Sequence, residues 1–255
     1  MNLPFERNYC LNISKSKDRR EHMKKMFHDC DLENIIFTEY TDLDFLKNNK
    51  HRNMLCENLC NMFNYNCKDI NMEVVNMIIN NLSCLLNHYQ IIKYNYDCNV
   101  ESICVFEDDV SITDINLFKR YLNNLPEDYD IIRYGILDWY DFTNDKNLYN
   151  KKSDNDNIVG AQCYAMNKNG MKCFIDFLSS GNFCWTDHIF RRINNKCNIY
   201  YTKDKLVLPS NNFQSVINND NFKDTILIEN NKENSMKIQI PKTKVNFKIA
   251  KQRRK

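Results

Sequence analysis

The stretch that most constrains this chain is Ser102-Ile103-Cys104-Val105-Phe106, a continuous apolar run that ends abruptly in Glu107-Asp108-Asp109. A run of this length and type suits a central strand buried on both faces of a sheet. In open α/β sheets ligands sit in the crevice at the carboxyl ends of such strands. Three adjacent carboxylates there repel one another and resist desolvation unless a cation or water compensates. If the strand conformation persists, Glu107 and Asp109 project to one side and Asp108 to the other, so one pair can face a single hard divalent ion. A solvated acidic turn is the other reading of the same residues. Acidic residues spaced by one also occur at Asp29 and Asp31, Asp42 and Asp44, Asp128 and Asp130, and Asp154 and Asp156. Spacing alone therefore decides nothing, and position after the strand is what separates residues 107–109.

Only four glycines occur, Gly135, Gly160, Gly170 and Gly181, no two closer than ten residues. Neither a Walker loop nor a G-x-G-x-x-G turn can be written anywhere, so phosphates, if bound, are not held in a glycine cradle. A net charge of +2 on 255 residues gives no global field favouring nucleic acid, so no nucleic-acid partner is expected. No apolar stretch approaches the length of a signal peptide or of a membrane span, and the expectation is a cytoplasmic protein with no transmembrane segment. Twelve cysteines without a C-x-x-C pair fit a reducing compartment better than a disulfide framework. Cys56, Cys60 and Cys67 lack a well-spaced fourth zinc ligand and read as core. The abundance of Asn, Lys, Ile and Tyr, all with A/T-rich codons, speaks of a genome such as that of a large virus or a protist rather than of chemistry.

Along the chain, residues 9–13 read as a strand, followed by a basic loop. A helix then carries Met23, Met26, Phe27 and Cys30 on one face, with Asp18 and Glu21 in capping-box form. A second strand at residues 35–38 completes a β-α-β opening. Residues 41–70 predict loops and short helices. The apolar pattern of residues 72–96 predicts a long helix with a wide buried face, and the strand at residues 102–106 follows it. Beyond come a helix at 115–125 closed by Pro126, a strand at 130–135, a charged loop at about 141–157 and a strand at 161–166. Helices at 168–178 and 185–193 precede a last strand at 205–208. The expected organisation is one unit over residues 1–230 and a basic tail over 231–255. That tail is either frayed or a docking segment for a membrane or an acidic partner.

The order of these segments resembles glycosyltransferase family 25, the lipooligosaccharide and procollagen galactosyltransferase type. Its opening signature is matched by Leu11-Asn12-Ile13 and Asp18-Arg19-Arg20, and its Gly-Cys-x-Leu-Ser-His helix start by Ser83-Cys84-Leu85-Leu86-Asn87-His88. Its Leu-Glu-Asp-Asp-Val segment is matched by Phe106-Glu107-Asp108-Asp109-Val110. A later Gly-x-x-x-Tyr strand and Gly-containing helix resemble Gly160-Ala161-Gln162-Cys163-Tyr164 and Lys168-Asn169-Gly170, and Trp185-Thr186-Asp187 echoes a final Pro-x-Asp element. The chain departs from the family at Ser83, Asn87 and Trp185-Thr186, none of which is a carboxylate.

The resemblance implies an α/β fold of GT-A type, with a mixed, mainly parallel central sheet flanked by helices. It also implies a nucleotide-sugar donor, such as a UDP-hexose carrying galactose or glucose, and a divalent metal, usually Mn2+. The acceptor would be a hydroxyl of a glycan or of a hydroxylated protein. Carried onto this sequence, the metal ligands are Glu107, Asp108 and Asp109, and the donor-binding residues are Asn12, Asp18, Arg19, Arg20, His88 and Asp108. Breaking the bond from the anomeric carbon to phosphate leaves negative charge on the departing diphosphate, which a metal-held Lewis acid neutralises. Arg19 and Arg20 suit phosphate as guanidinium forks, or lie in an exposed first helical turn. Inverting transfer requires one carboxylate base, for which Asp187 is the candidate, although it could equally cap the helix that follows. His88 and His188 also read as packing or polar-network residues, and Gln214 fits a C-terminal Pro-to-Gln element. Two other functions stand beside transfer: an inactive glycosyltransferase-like module that binds glycans or assists assembly, and a metal-dependent nuclease. The nuclease is disfavoured because Val110-Ser111 stands where a lysine would follow the acidic pair.

Overall fold

The computed structural model describes residues 1–12, 16–39, 72–136, 147–152, 160–182, 185–210 and 212–213. The elements run β1 (Arg7–Asn12), α1 (Lys17–Asp29), β2 (Ile35–Glu39), α2 (Met72–Asp97), β3 (Ser102–Glu107) and β4 (Val110–Ile112). They continue with α3 (Ile115–Leu122), β5 (Ile131–Arg133), β6 (Tyr149–Lys151), β7 (Cys163–Asn167), α4 (Lys168–Ser179), α5 (Thr186–Arg192), β8 (Ile199–Thr202) and β9 (Val207–Pro209).

Seven strands form one sheet in the order β2-β1-β3-β7-β5-β8-β6, and β4 pairs with β9 in a separate antiparallel ribbon. β2, β1, β3, β5 and β8 run in one direction, and β7 and β6 run against them. The fold is thus α/β with a mixed sheet flanked by helices, as expected; five of the seven strands share one direction, and the six pairings divide into three parallel and three antiparallel.

The apolar run folds as the central strand β3, and its alternation divides the core in two. Ile103 and Val105 face one cluster, with Leu85, Ile92, Tyr164, Phe174 and Phe190, so α2, α4 and α5 cover that face. Cys104 and Phe106 face the other, with Cys10, Met23, Phe27, Phe118 and Tyr121, so α1 and α3 cover the opposite face. A strand lined on both sides by helices has no room for polar alternation, and this is why residues 103–106 read as one apolar block.

Local chemistry sets the helix ends. Asp114 caps α3 by accepting from the Asn116 and Leu117 amides, and Asn167 caps α4 by accepting from the Gly170 amide. α1 starts earlier than the expected capping box: Ser16 holds the cap position, and Asp18 lies inside the first turn, where it favours the positive helix end. α3 stops at Leu122 rather than at 125, because Asn123 and Asn124 leave the helix, the Asn124 side chain donating to the Arg120 carbonyl. Three short strands are additions to the sequence reading: β4, β6 inside the expected charged loop, and β8. The segment at 41–70, Gln214 and the basic tail at 231–255 lie outside the described residues. Among the described residues, no helix is long and apolar enough to cross a membrane.

Candidate active site

β1, β3 and β5 run parallel and bring Asn12, Glu107 and Arg133 to their carboxyl ends. β3 ends at Glu107, and the chain turns at Asp108 and Asp109 before entering β4. Asp108 is buried and held twice: Asn12 Nδ2 donates to its Oδ2 at 2.9 Å and Arg19 Nη1 to its Oδ1 at 2.9 Å. The same Nη1 lies 3.0 Å from Asp109 Oδ2. The Arg19 guanidinium also lies 5.5 Å from the ring centroid of Phe213, while the Ser210 amide donates to the Asp109 carbonyl at 2.6 Å. The segment after β9 thus folds back over the acidic turn.

Strand alternation does not continue through this turn. Asp108 and Asp109 share Arg19, whereas Glu107 faces His88, with Oε1 3.4 Å from Nε2. Glu107 and Asp109 nevertheless remain within electrostatic reach. Burial, and then the charge of Glu107, push the Asp109 carboxyl up to about 6, with Arg19 acting in the opposite sense.

His88 is fully buried on α2, and its Nδ1 lies 2.7 Å from the hydroxyl of Tyr164 on β7. Cys84, four residues earlier on the same helix, places Sγ 4.0 Å from Glu107 Oε1. Cys84, His88 and Glu107 have donor atoms that all lie within 4.8 Å of one another.

At the end of β5, Arg133 is fully buried, with its guanidinium 5.4 Å from the Phe190 ring centroid and Nη2 donating to the Gly160 carbonyl. Burial pulls it down to about 10, and the charge of Asp187 opposes that pull. Asp187 therefore lies within electrostatic range of a buried cation. It occupies the first turn of α5, where its carboxylate accepts from the His188 amide.

The structure brings Asn12, Arg19, Asp108 and Asp109 together, with Glu107 and His88 alongside. It does not bring in Arg20, whose guanidinium sits 5.0 Å from the Phe37 ring centroid on β2, nor Asp18, which is exposed. Arg133 escaped the sequence reading. The signal was an arginine set inside the apolar stretch Ile131-Ile132-Arg133-Tyr134, a place where a lone charge needs a reason.

One guanidinium serves both Asp108 and Asp109 while Glu107 beside them faces His88, so the turn carries an excess of negative charge that leaves Asp109 hard to ionise. Oxygen donors with surplus charge at the carboxyl end of a strand suit a hard divalent cation, and the residues present fit one. The family model described as glycosyltransferase family 25 (LPS biosynthesis protein) matches residues 5–190. No individual curated protein matches the chain. The match spans β1 through most of α5 and includes every residue gathered at this site except the segment after β9. With the acidic turn, its arginine and its buried histidine all inside that match, the chain belongs to glycosyltransferase family 25 and is a glycosyltransferase.

Proposed function

We propose that this protein transfers a hexose, galactose or glucose, from a UDP-sugar to a hydroxyl of a glycan or hydroxylated protein, with inversion and with a divalent cation such as Mn2+. The observation that carries the reading is the crowding of three carboxylates at the carboxyl end of β3, where a single guanidinium serves Asp108 and Asp109 and the charge of neighbouring Glu107 raises the Asp109 carboxyl further. Asp109, with Glu107 or Asp108, would hold the cation. When bound, it supplies Lewis-acid neutralisation of the departing diphosphate.

The remaining chemistry belongs to the chain. Asn12 and Arg19 fix Asp108, so the acidic turn is preorganised before any ligand arrives. Arg133, still charged at neutral pH, sets a positive field at the end of β5. Asp187, near that field, takes the proton of the acceptor hydroxyl as it attacks the anomeric carbon. His88, held by Tyr164, orients Glu107 from beneath. The catalytic unit in this reading is residues 1–230. The basic stretch 231–255 lies outside it and contacts a membrane surface or an acidic partner. Twelve cysteines without a C-x-x-C pair support work in a reducing compartment, the cytoplasm.

A panel of nucleotide sugars, each with and without Mn2+, tests the reading by protection against thermal unfolding and by donor turnover. Protection and turnover with one UDP-hexose, lost on chelation, are expected. Glycan binding without any nucleotide-sugar response would instead identify an inactive binding module.

A further inference from the structure

The thiol of Cys84 and the imidazole of His88 cluster with Glu107 at the end of β3, and transfer as proposed above needs neither as a metal ligand. Cys84 and His88 are four residues apart on α2 and so lie on one helix face. From the far side, β3 ends at Glu107. Glu107 Oε1 is 3.4 Å from His88 Nε2 and 4.0 Å from Cys84 Sγ. Ligands bound to a tetrahedral ion at about 2.0–2.3 Å sit roughly 3.3–3.8 Å apart, so these donors are already close to coordinating separation.

The surroundings favour a metal as well. The Tyr164 hydroxyl engages His88 Nδ1 at 2.7 Å. A hydrogen bond to the far ring nitrogen fixes the imidazole and aims the Nε2 lone pair at a metal. A thiolate and a carboxylate carry two negative charges, enough to offset one divalent ion in a buried setting. Sulfur and imidazole donors suit Zn2+ or Co2+, whereas carboxylates alone suit Mn2+ or Mg2+.

We propose that Cys84, His88 and Glu107 form a binding site for a zinc-class divalent ion, chemically separate from the oxygen donors of Asp108 and Asp109. Three protein ligands leave a fourth position open, as in catalytic rather than structural zinc sites. Glu107 is a quarter exposed, so solvent reaches this edge of the cluster. On loading, the Cys84 S–H bond breaks, a sulfur–metal bond forms, and the proton leaves to solvent. The His88 proton is carried on Nδ1 with no net release, and no oxidant or reductant is involved. The proposal stands apart from the identity of the transferred sugar, because its readouts are those of metal binding.

The test is titration of metal-stripped full-chain protein with Co2+, followed by absorption, alongside Zn2+ calorimetry. A thiolate-to-cobalt charge-transfer band should grow to about one ion per chain, accompanied by proton release. Cys84→Ser should abolish the band and weaken Zn2+ binding by at least ~10-fold, and Asp109→Asn should leave the band in place. Tyr164→Phe keeps all three ligands and should lower Zn2+ affinity by roughly 10–100-fold while retaining the band. It also provides the check should Cys84→Ser fail to fold. Absence of the band in the wild type, or an undiminished band in folded Cys84→Ser, would overturn the assignment. Either result is distinct from failure of UDP-sugar turnover.

Discussion

Arg19 Nη1 donates to Asp108 Oδ1 at 2.9 Å, joining the first turn of α1 to the turn after β3, and both side chains are more than nine-tenths buried. Arg19 therefore carries a structural duty as well as a chemical one. Its charge is what allows two neighbouring carboxylates to be desolvated beside it.

Replacing it should show this. Arg19→Ala leaves buried Asp108 and partly buried Asp109 without their shared cation, and a loss of about 3–5 kcal/mol in urea unfolding is expected. Added Mn2+ should restore part of that loss, because it supplies the missing positive charge. A variant as stable as the wild type would show that water reaches both carboxylates.

Asp187 is assigned a role at the reacting hydroxyl and not in donor binding. Asp187→Asn should lower kcat by about 10²–10⁴ and leave donor affinity, measured by calorimetry, close to that of the wild type. An equal loss in donor affinity would make it a helix cap or a partner of Arg133 instead.

His188 gives a prediction about pH. Burial holds it below its ordinary 6.5, with Arg191 and Arg192 adding to the shift and Asp187 opposing it. A histidine depressed in this way takes its proton more readily in the unfolded chain. Its stabilising share is whole above 6.5 and is lost as pH falls through the folded value. Urea midpoints of the wild type should therefore drop further than those of His188→Gln between about pH 7.5 and pH 5. Parallel curves would contradict the assignment.

Gly170 lies where α4 crosses the start of β5, and a Cβ added there would overlap the backbone carbonyl oxygen of Asp130. That carbonyl also accepts from the Asn167 amide and cannot give way freely. Gly170→Ala should cost about 1–3 kcal/mol through overpacking, read as a lower thermal midpoint with donor binding retained by the folded fraction.

The parts of the fold legible in the sequence were those where one physical demand dominates. Burial on both faces made residues 103–106 a recognisable central strand, and the wide apolar face of residues 72–96 marked α2. β4, β6 and β8 escaped because strands of three or four residues carry too little pattern, although Ile199-Tyr200-Tyr201-Thr202 has the aromatic and β-branched character of a strand. In the site, the acidic triplet was legible by its position. Its division, with Asp108 and Asp109 on Arg19 and Glu107 on His88, was not, because it depends on where the chain turns after β3. Arg20 and Asp18 flank Arg19 in sequence, but helical rotation sends one to Phe37 and the other to solvent. The pairing of Cys84 with Glu107 was illegible for a simpler reason: it joins a helix and a strand that only the packed sheet brings together.

Asp109 is the proposed cation ligand, and donor turnover by Asp109→Asn with Mn2+ present is the decisive measurement. The variant should fold, with UDP-hexose turnover at least ~100-fold lower and no longer responsive to Mn2+. Full Mn2+-dependent turnover in that variant would contradict that role.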